Sequence, residues 1–463
     1  MLNKRYITEG IAFIVVSLVT ILLAFNNYVL TLPWIFTAFF LGTGYLIFTG
    51  LAIKQLSRGS EKLFRKRLFR YSLLTNFVVM MFLFIFNMAH TGTPFSVNAK
   101  DEIGYDSRAN TIADNLISQG KIYENIDYDF ADLGYPTILG IEYLMSGRSI
   151  YFSRLIQILL GALSVLFTYR IAKNFFDPEI ARVAGALMIF YPHLLYFQGV
   201  TLKEGHMVFL LTATFLLASN ILKKRLTVGS LVLIIITTGL LFSFRTPLAV
   251  LAILSIVLGL VFTKAPKKRG GAIMYVFVFT VLLLVFARST GLYYSTYETI
   301  STSGEMYERV TEKRAMGGGS MMSLIGLPIY VVAAVPTPFP SLVDTEQDPT
   351  FHKANWYHSG GSFVWNILSF FFLIGIVFAV RKHFFRYLMI ITFTIGYLMI
   401  LSYSGYVTSL RYTVPVIPFL LIFAALGLYR YRGKIQLYRL YLLLMYVCVV
   451  GWAYFQLASR GMI

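Results

Sequence analysis

Apolar residues run in blocks of about 16 to 25 along almost the whole chain, and polar residues collect in the gaps between blocks and in two longer stretches. The blocks fall near 7–25, 28–53, 71–90, 151–171, 183–199, 205–222, 227–244, 247–263, 271–287, 363–380, 387–404, 409–428 and 440–458. A helix needs ~20 apolar residues to cross a hydrocarbon core ~30 Å thick, so the pattern predicts about 13 transmembrane helices in an all-α polytopic membrane protein. The first block is followed at once by the second and shows no small-residue cleavage site, which predicts a retained helix, not a signal peptide. One further apolar run, 324–340, holds Pro328, Pro336, Pro338 and Pro340. A crossing there would invert the charge pattern downstream. It is expected to be re-entrant or interfacial, because irregular backbone at membrane depth survives only where protein or water satisfies it.

Composition removes the soluble alternatives. The 463 residues are 57% hydrophobic and 13% charged, with a mean hydropathy of +0.70, too apolar for a soluble domain of this length. A net charge of +19 raises nucleic acid as a partner, but the cations sort by side of the membrane. With the N-terminus cytoplasmic, 26 of the 40 Lys and Arg residues fall inside, whereas 17 of the 21 acids fall outside. That asymmetry is the positive-inside signature. The bilayer, and no nucleic acid, is the partner the charge implies. By the same count the C-terminus lies outside the cell. Cys448 is the single cysteine, so an intrachain disulfide or cysteine metal cluster is excluded.

Four regions follow: residues 1–70 with two helices and a basic cytoplasmic loop, a transmembrane module at 71–290 containing the first outer loop 91–150, a second outer loop 288–362, and C-terminal helices at 363–463. No C-terminal soluble domain is expected. The polar chemistry must therefore sit on the outer loops and outer helix ends. In the first loop KDEIGYDSRAN precedes TIADNLISQGKIY, where Ile112, Leu116 and Ile117 have helical spacing and Gly120 is a stop. FADLGYPTILGIEYLMSG predicts a second amphipathic helix, resting on the membrane surface. Asp101 and Glu102 would stand at the start of the first helix, placed to take a proton or bind a cation; helix capping by Asp101 or Asp106 is the competing reading. Lys203, Glu204 and His206 lie at an outer helix end. There a carboxylate can face a polar cavity or anchor at the interface. Arg245 in FSFRTPLAV, Arg411 in TSLRYTVPVIPF and Arg154, with Gln157 one turn on, interrupt apolar helix ends. Arginine suits phosphate because its planar fork donates parallel hydrogen bonds and stays charged; snorkelling to the interface is the alternative.

In the second loop GGGS lacks the strand before and the Lys-Ser/Thr after that a phosphate-cradling loop requires, so it reads as a hinge. His352 and His358, with Asp344, Glu346 and Asp348, fit no metal-ligand spacing and read as ordinary loop polarity. Trp356 and Tyr357 suit either a sugar or the interfacial belt.

Taken in order, these elements resemble the GT-C superfamily of integral-membrane glycosyltransferases, in particular the family that includes protein O-mannosyltransferases and aminoarabinose transferases. Asp101, Tyr105 and Ala109 occupy the places of that family's acid, tyrosine and alanine in its first extracytoplasmic loop. LGYPTILGIEYLMSG resembles its Gly-Tyr-Pro surface helix, AGALMIFYPHLLYFQGVTLKE ends on its glutamate, and FRTP and LRYTVPVIPFLLIFAALGL resemble its later arginine elements. The likeness covers roughly 71–290 and 400–430. Two helices preceding the module depart from the pattern.

The resemblance implies transfer of a hexose or pentose from a polyprenyl-phosphate donor to an extracytoplasmic acceptor in the cell envelope (glycan, lipid or protein), by single displacement with inversion. Asp101 would be the catalytic base or acceptor-orienting group, with Glu102 its substitute. Arg245 and Arg411, joined by Arg154 or Lys203, would stabilise the lipid-phosphate leaving group. Tyr105, Tyr135, Glu204 and His206 would hold the acceptor or support the site. A divalent metal ion is the one cofactor left open. An O-antigen-type polysaccharide polymerase or ligase is the rival, placing its chemistry in the late loop. A transporter or flippase would need polar residues at the bilayer midplane and broken helices in two related halves, and neither stands out.

Overall fold

The computed structural model describes residues 4–56, 59–97, 100–120, 122, 130–223, 227–263, 334–345, 357–403, 409–431 and 433–463. These residues form an all-α molecule. α1 (Lys4–Ala24), α2 (Leu32–Leu56) and α3 (Glu61–Thr91) lead to the two helices of the first loop, α4 (Lys100–Gln119) and α5 (Phe130–Ser146). α6 (Ile150–Phe175), α7 (Pro178–Ile189), α8 (Pro192–Gly199), α9 (Glu204–Lys223), α10 (Val228–Phe242) and α11 (Thr246–Phe262) complete the first half. α12 (His358–Tyr403), α13 (Leu410–Thr413), α14 (Ile417–Arg430) and α15 (Ile435–Ala458) follow.

The apolar blocks read from the sequence fall on these helices, 183–199 being divided between α7 and α8 and 409–428 between α13 and α14, except that near 271–287, which lies outside the described residues. By length and composition, eight of the described helices suffice to cross a membrane, or nine if α7 and α8, bent by 54°, are one span. α12 itself is two helices joined at His383, whose φ of −149° and ψ of 46° leave the helical region. α3 starts ten residues before the predicted block: Ser60 accepts a hydrogen bond from the Leu63 amide and caps a helix that runs straight through the basic segment EKLFRKRLFR. α7 and α8 are separate because Pro192 supplies no amide hydrogen to continue the ladder.

Leu23, Phe36, Phe82, Ile85 and Leu440 are more than half exposed. Such an apolar belt is stable only against lipid. α14 is the reverse: residues 417–428 are all buried, and it packs on α12 and α7. Lipid and leucine are equally apolar, so helices in a bilayer associate by close packing, which small residues permit. α12 and α14 cross at Gly375 and Gly427. A β-carbon on Gly375 would sit 1.9 Å from the Phe423 carbonyl oxygen, and one on Gly427 would sit 1.8 Å from that of Phe371.

The described end of the proline-rich element, 334–345, is an irregular strap and not a membrane-crossing helix. Its carbonyls are satisfied from outside: Trp365 Nε1 donates to Val335 O (2.7 Å) and Asn366 Nδ2 to Pro336 O (2.6 Å), while the Leu30 amide donates to Leu342 O (3.1 Å). Residues 324–333 lie outside the described residues.

The bundle has two chemically distinct ends. Glu61 pairs with Lys173, Lys223 Nζ donates to Lys173 O (3.0 Å), and Arg430 pairs with Asp177 (3.3 Å), which gathers the basic gaps between helices at one end. Helices α4 and α5 and the first residues of α9 and α11 lie at the other.

Candidate active site

Arg411 organises the second end. It sits in the first turn of α13, and its Nε donates to Glu204 Oε1 (2.5 Å) at the start of α9. Nη1 donates to Asp101 Oδ2 and Nη2 to the Tyr105 hydroxyl (3.2 Å), both on α4. Arg411 thus reaches partners 207 to 310 positions away in the chain. Arg245, extended just before α11, brings Nη2 to 3.8 Å from the same Glu204 oxygen. Its guanidinium lies 4.4 Å over the ring of Tyr412, and Nη1 donates to the Tyr397 hydroxyl (3.4 Å), which in turn donates to Tyr412 O (2.9 Å). Two arginines therefore share a single carboxylate oxygen. Glu204 is fully buried and tolerable there only because both cations face it; its Oε2 has no hydrogen-bond partner among the described residues. Asp101 differs: its side chain is 56% exposed.

Glu102, the next residue, points the other way and is 1% exposed. It accepts from Ser96 N (3.1 Å), Ser96 Oγ and Thr201 N (3.0 Å), and pairs with Arg154 Nη2 at 3.5 Å. Arg154 is itself wholly buried, donating Nε to Thr201 Oγ1 (3.1 Å) and Nη2 to Pro94 O (2.6 Å) beneath the Phe84 ring. Gln157, one turn on, donates to Phe197 O (2.7 Å) and Leu202 O (3.2 Å). This group ties the loop after α3 and the segment before α9 to α6. It fixes the strand of chain on which Lys203, also buried, and Glu204 sit.

Behind the open cluster is an aromatic floor. Tyr135 is buried on α5 with its ring edge-on to Tyr105 (5.1 Å) and His206 (5.2 Å), and His206 Nε2 lies 3.9 Å from Glu142 Oε1. Burial, reinforced by the carboxylates of Glu142 and Glu102, drives the Tyr135 phenol well above its ordinary value, so it stays protonated. Gly134 lets α5 seat on the chain leading to Arg245: its amide donates to Ser243 O (2.9 Å), and a β-carbon there would lie 2.3 Å from Ser243 Oγ. Asp106, a candidate cap on sequence grounds, instead accepts from the Tyr143 hydroxyl and joins α4 to α5. Burial and that contact raise the Tyr143 phenol.

The structure thus brings Asp101, Tyr105, Glu204, Arg245 and Arg411 together, places Tyr135 and His206 behind them, and separates Glu102 and Arg154 into a sealed pair. Sequence reasoning missed Tyr412 and Tyr397. Tyr412 adjoins Arg411 and was within reach; Tyr397 carries no local signal. Asp101 and Glu204 are the carboxylates at the cluster, and Arg411 donates to both, so a divalent cation between them would meet a guanidinium already in place. Among the described residues no three His, Cys, Asp or Glu side chains converge as metal ligands. Of the second-loop candidates, Asp344 donates its amide to Tyr28 O (2.6 Å), and His358 packs its ring against Tyr196 (4.7 Å) and Phe197 (6.0 Å). His352, Glu346, Asp348, Trp356 and GGGS lie outside the described residues.

No curated protein matches the sequence. Among solved structures, three of an oligosaccharyltransferase from Archaeoglobus fulgidus are similar. The archaeal enzyme AglB with an inhibitory peptide and a dolichol-phosphate is 17% identical with a TM-score of 0.46, over 86% of this chain and 56% of that one. A form tethered to an acceptor peptide containing the NVT sequon is 16% identical, with a TM-score of 0.46 over 87% and 55%. A complex with zinc and sulfate is 16% identical, with a TM-score of 0.47 over 84% and 52%. The chain spans about half the length of these proteins. Residues 134–290 match the family model of dolichyl-phosphate-mannose-protein mannosyltransferases, a stretch running from the Gly-Tyr-Pro helix through Glu204 and Arg245. The likeness to the GT-C membrane glycosyltransferases carried by the sequence is thereby shown, through the mannosyltransferase family that residues 134–290 match.

Proposed function

We propose that this multi-pass membrane protein transfers a sugar from a polyprenyl-phosphate donor to an acceptor hydroxyl on the extracytoplasmic side, by single displacement with inversion. One observation carries the reading. Arg411 links an exposed carboxylate, Asp101, to a buried one, Glu204, with Arg245 alongside.

Each group then has a task set by its environment. Asp101 is open to an approaching acceptor, and as its oxygen attacks the anomeric carbon the carboxylate takes the proton. The bond from that carbon to the phosphate oxygen breaks, and the polyprenyl phosphate leaves with the electron pair. Charge grows on the phosphate, where Arg245 and Arg411, aimed in advance by Glu204, Tyr105 and Tyr397, stabilise it without reorganising. A phosphate docking on Arg411 also competes with Asp101 for Nη1, so donor binding frees the base. Tyr135 and His206 support Tyr105 from behind. Lys203 lies beside Glu204 in the chain and supports the same end. Glu102 and Arg154 hold the frame. The basic gaps at the far end favour a cytoplasmic face there, which supports an extracytoplasmic site, a cytoplasmic N-terminus and an extracytoplasmic C-terminus.

The test compares wild type with Asp101→Asn in cells lacking the native copy, reading glycosylated envelope product and accumulated lipid-linked sugar. Product should fall and donor accumulate. Undiminished product from a correctly inserted Asp101→Asn protein overturns the assignment. Loss of activity on changing 288–362, with Asp101→Asn active, would instead favour the polymerase or ligase.

A further inference from the structure

The end of the bundle opposite Asp101 carries a second arrangement of charge. The break in α12 at His383 follows two consecutive cations, Arg381 and Lys382, and Arg386 stands one turn beyond; all three are exposed. On one side of this corner is a cavity of about 530 Å³ whose polar lining is Asn174, Lys223, Thr263, Lys382, His383 and Arg386. On the other, an apolar groove of about 930 Å³ runs between α12 and α15, walled by Leu373, Val377, Leu440 and Leu444, and reaching Arg381 and Lys382. Lys382 lines both. Among the described residues no carboxylate lines either space. Among the described residues Arg381, Lys382 and Arg386 form no ion pair, although Lys173 and Arg430 nearby have taken Glu61 and Asp177.

Clustered cations without a counter-charge repel one another, and the arrangement is stabilised by an anion brought from outside. A bilayer-facing apolar groove ending at those cations selects an anion that carries a hydrocarbon chain. We propose that this corner binds an anionic phospholipid of the adjoining leaflet, its phosphate among Arg381, Lys382 and Arg386 and an acyl chain along the groove between α12 and α15.

The full chain, purified and stripped of lipid, is titrated with vesicles of phosphatidylglycerol or of phosphatidylcholine, and separately with inorganic phosphate, with bound lipid counted by native mass spectrometry. Phosphatidylglycerol should bind more tightly than phosphatidylcholine. Arg381→Gln with Lys382→Gln should weaken it roughly fivefold per cation removed, while phosphatidylcholine is unaffected. Val377→Trp, which fills the groove, should weaken phosphatidylglycerol and leave inorganic phosphate unchanged. Both variants alter exposed positions, and an unchanged thermal transition confirms that they fold. Equal binding of the two lipids, or phosphatidylglycerol binding indifferent to the loss of both cations, overturns the proposal. Inorganic phosphate that competes fully, with Val377→Trp without effect on the lipid, assigns the site to free phosphate and overturns it equally.

Discussion

In the first turn of α4, Asp101 and Glu102 are adjacent residues of nearly identical chemistry in opposite surroundings. The Asp101 side chain is 56% exposed and shares one guanidinium, Arg411, with a second carboxylate. Glu102 is 1% exposed, with both oxygens occupied by Ser96, Thr201 and Arg154. A helix turns ~100° per residue, so consecutive side chains leave it in different directions, and here one direction is the open site and the other the core. An exposed carboxylate keeps its water and can exchange a proton with a passing hydroxyl. A buried, saturated one has no room for substrate and instead pins segments together.

That contrast has measurable consequences. Asp101→Asn should lower transfer by about 10²–10⁴-fold, the range of a lost general base, while changing stability by less than ~0.5 kcal/mol, as for an exposed site. A comparable loss of stability would abolish the distinction. Glu102→Ala should cost about 3–5 kcal/mol, because Arg154 is left as an uncompensated buried charge; denaturation in detergent measures it, and transfer per folded molecule should persist. Glu102→Gln keeps the shape and some of the hydrogen bonds but not the charge, and should cost about 1–3 kcal/mol. Arg411→Lys sharpens the open side: a point charge cannot reach Glu204, Asp101 and Tyr105 together, so transfer should drop about tenfold or more while Glu102 and Arg154 hold the fold. The exposed pair of Arg148 and Asp114, joining α4 to the turn after α5, is the control. Arg148→Ala should cost under ~1 kcal/mol.

Much of this architecture was legible because the bilayer imposes its own pattern. A span must be apolar over a fixed length, so α1, α2, α6, α9 and α15 were readable to within a few residues. Helix starts in polar sequence were less so: α3 reaches back to Glu61 because EKLFRKRLFR can be helical in water as well as in lipid. The break of α7 from α8 was invisible to hydropathy, although Pro192 marked the place. At the site, the chemical types in each cluster member were legible and their partners were not. Arg154 looked like Arg245 and Arg411 in the sequence, an arginine at an apolar helix end. By its residue type and position alone it suits a phosphate as they do, yet it lies fully enclosed against Glu102. Local sequence reports that a charge stands near a helix end; it does not report which neighbour the bundle supplies.

The division follows from the range of the forces. Hydrophobic length and charge asymmetry act on each segment separately, so the sequence alone determined a polytopic all-α membrane protein, the sorting of its basic gaps, and the likeness of residues 134–290 to the mannosyltransferase family. The meeting of Asp101, Glu204, Arg245 and Arg411 needs α4, α9, α11 and α13 to converge at one end. That convergence is set by close packing such as the Gly375–Gly427 crossing, where atoms touch or clash within an ångström. Only the tertiary structure could decide that of two neighbouring carboxylates one faces the open site and the other closes the core.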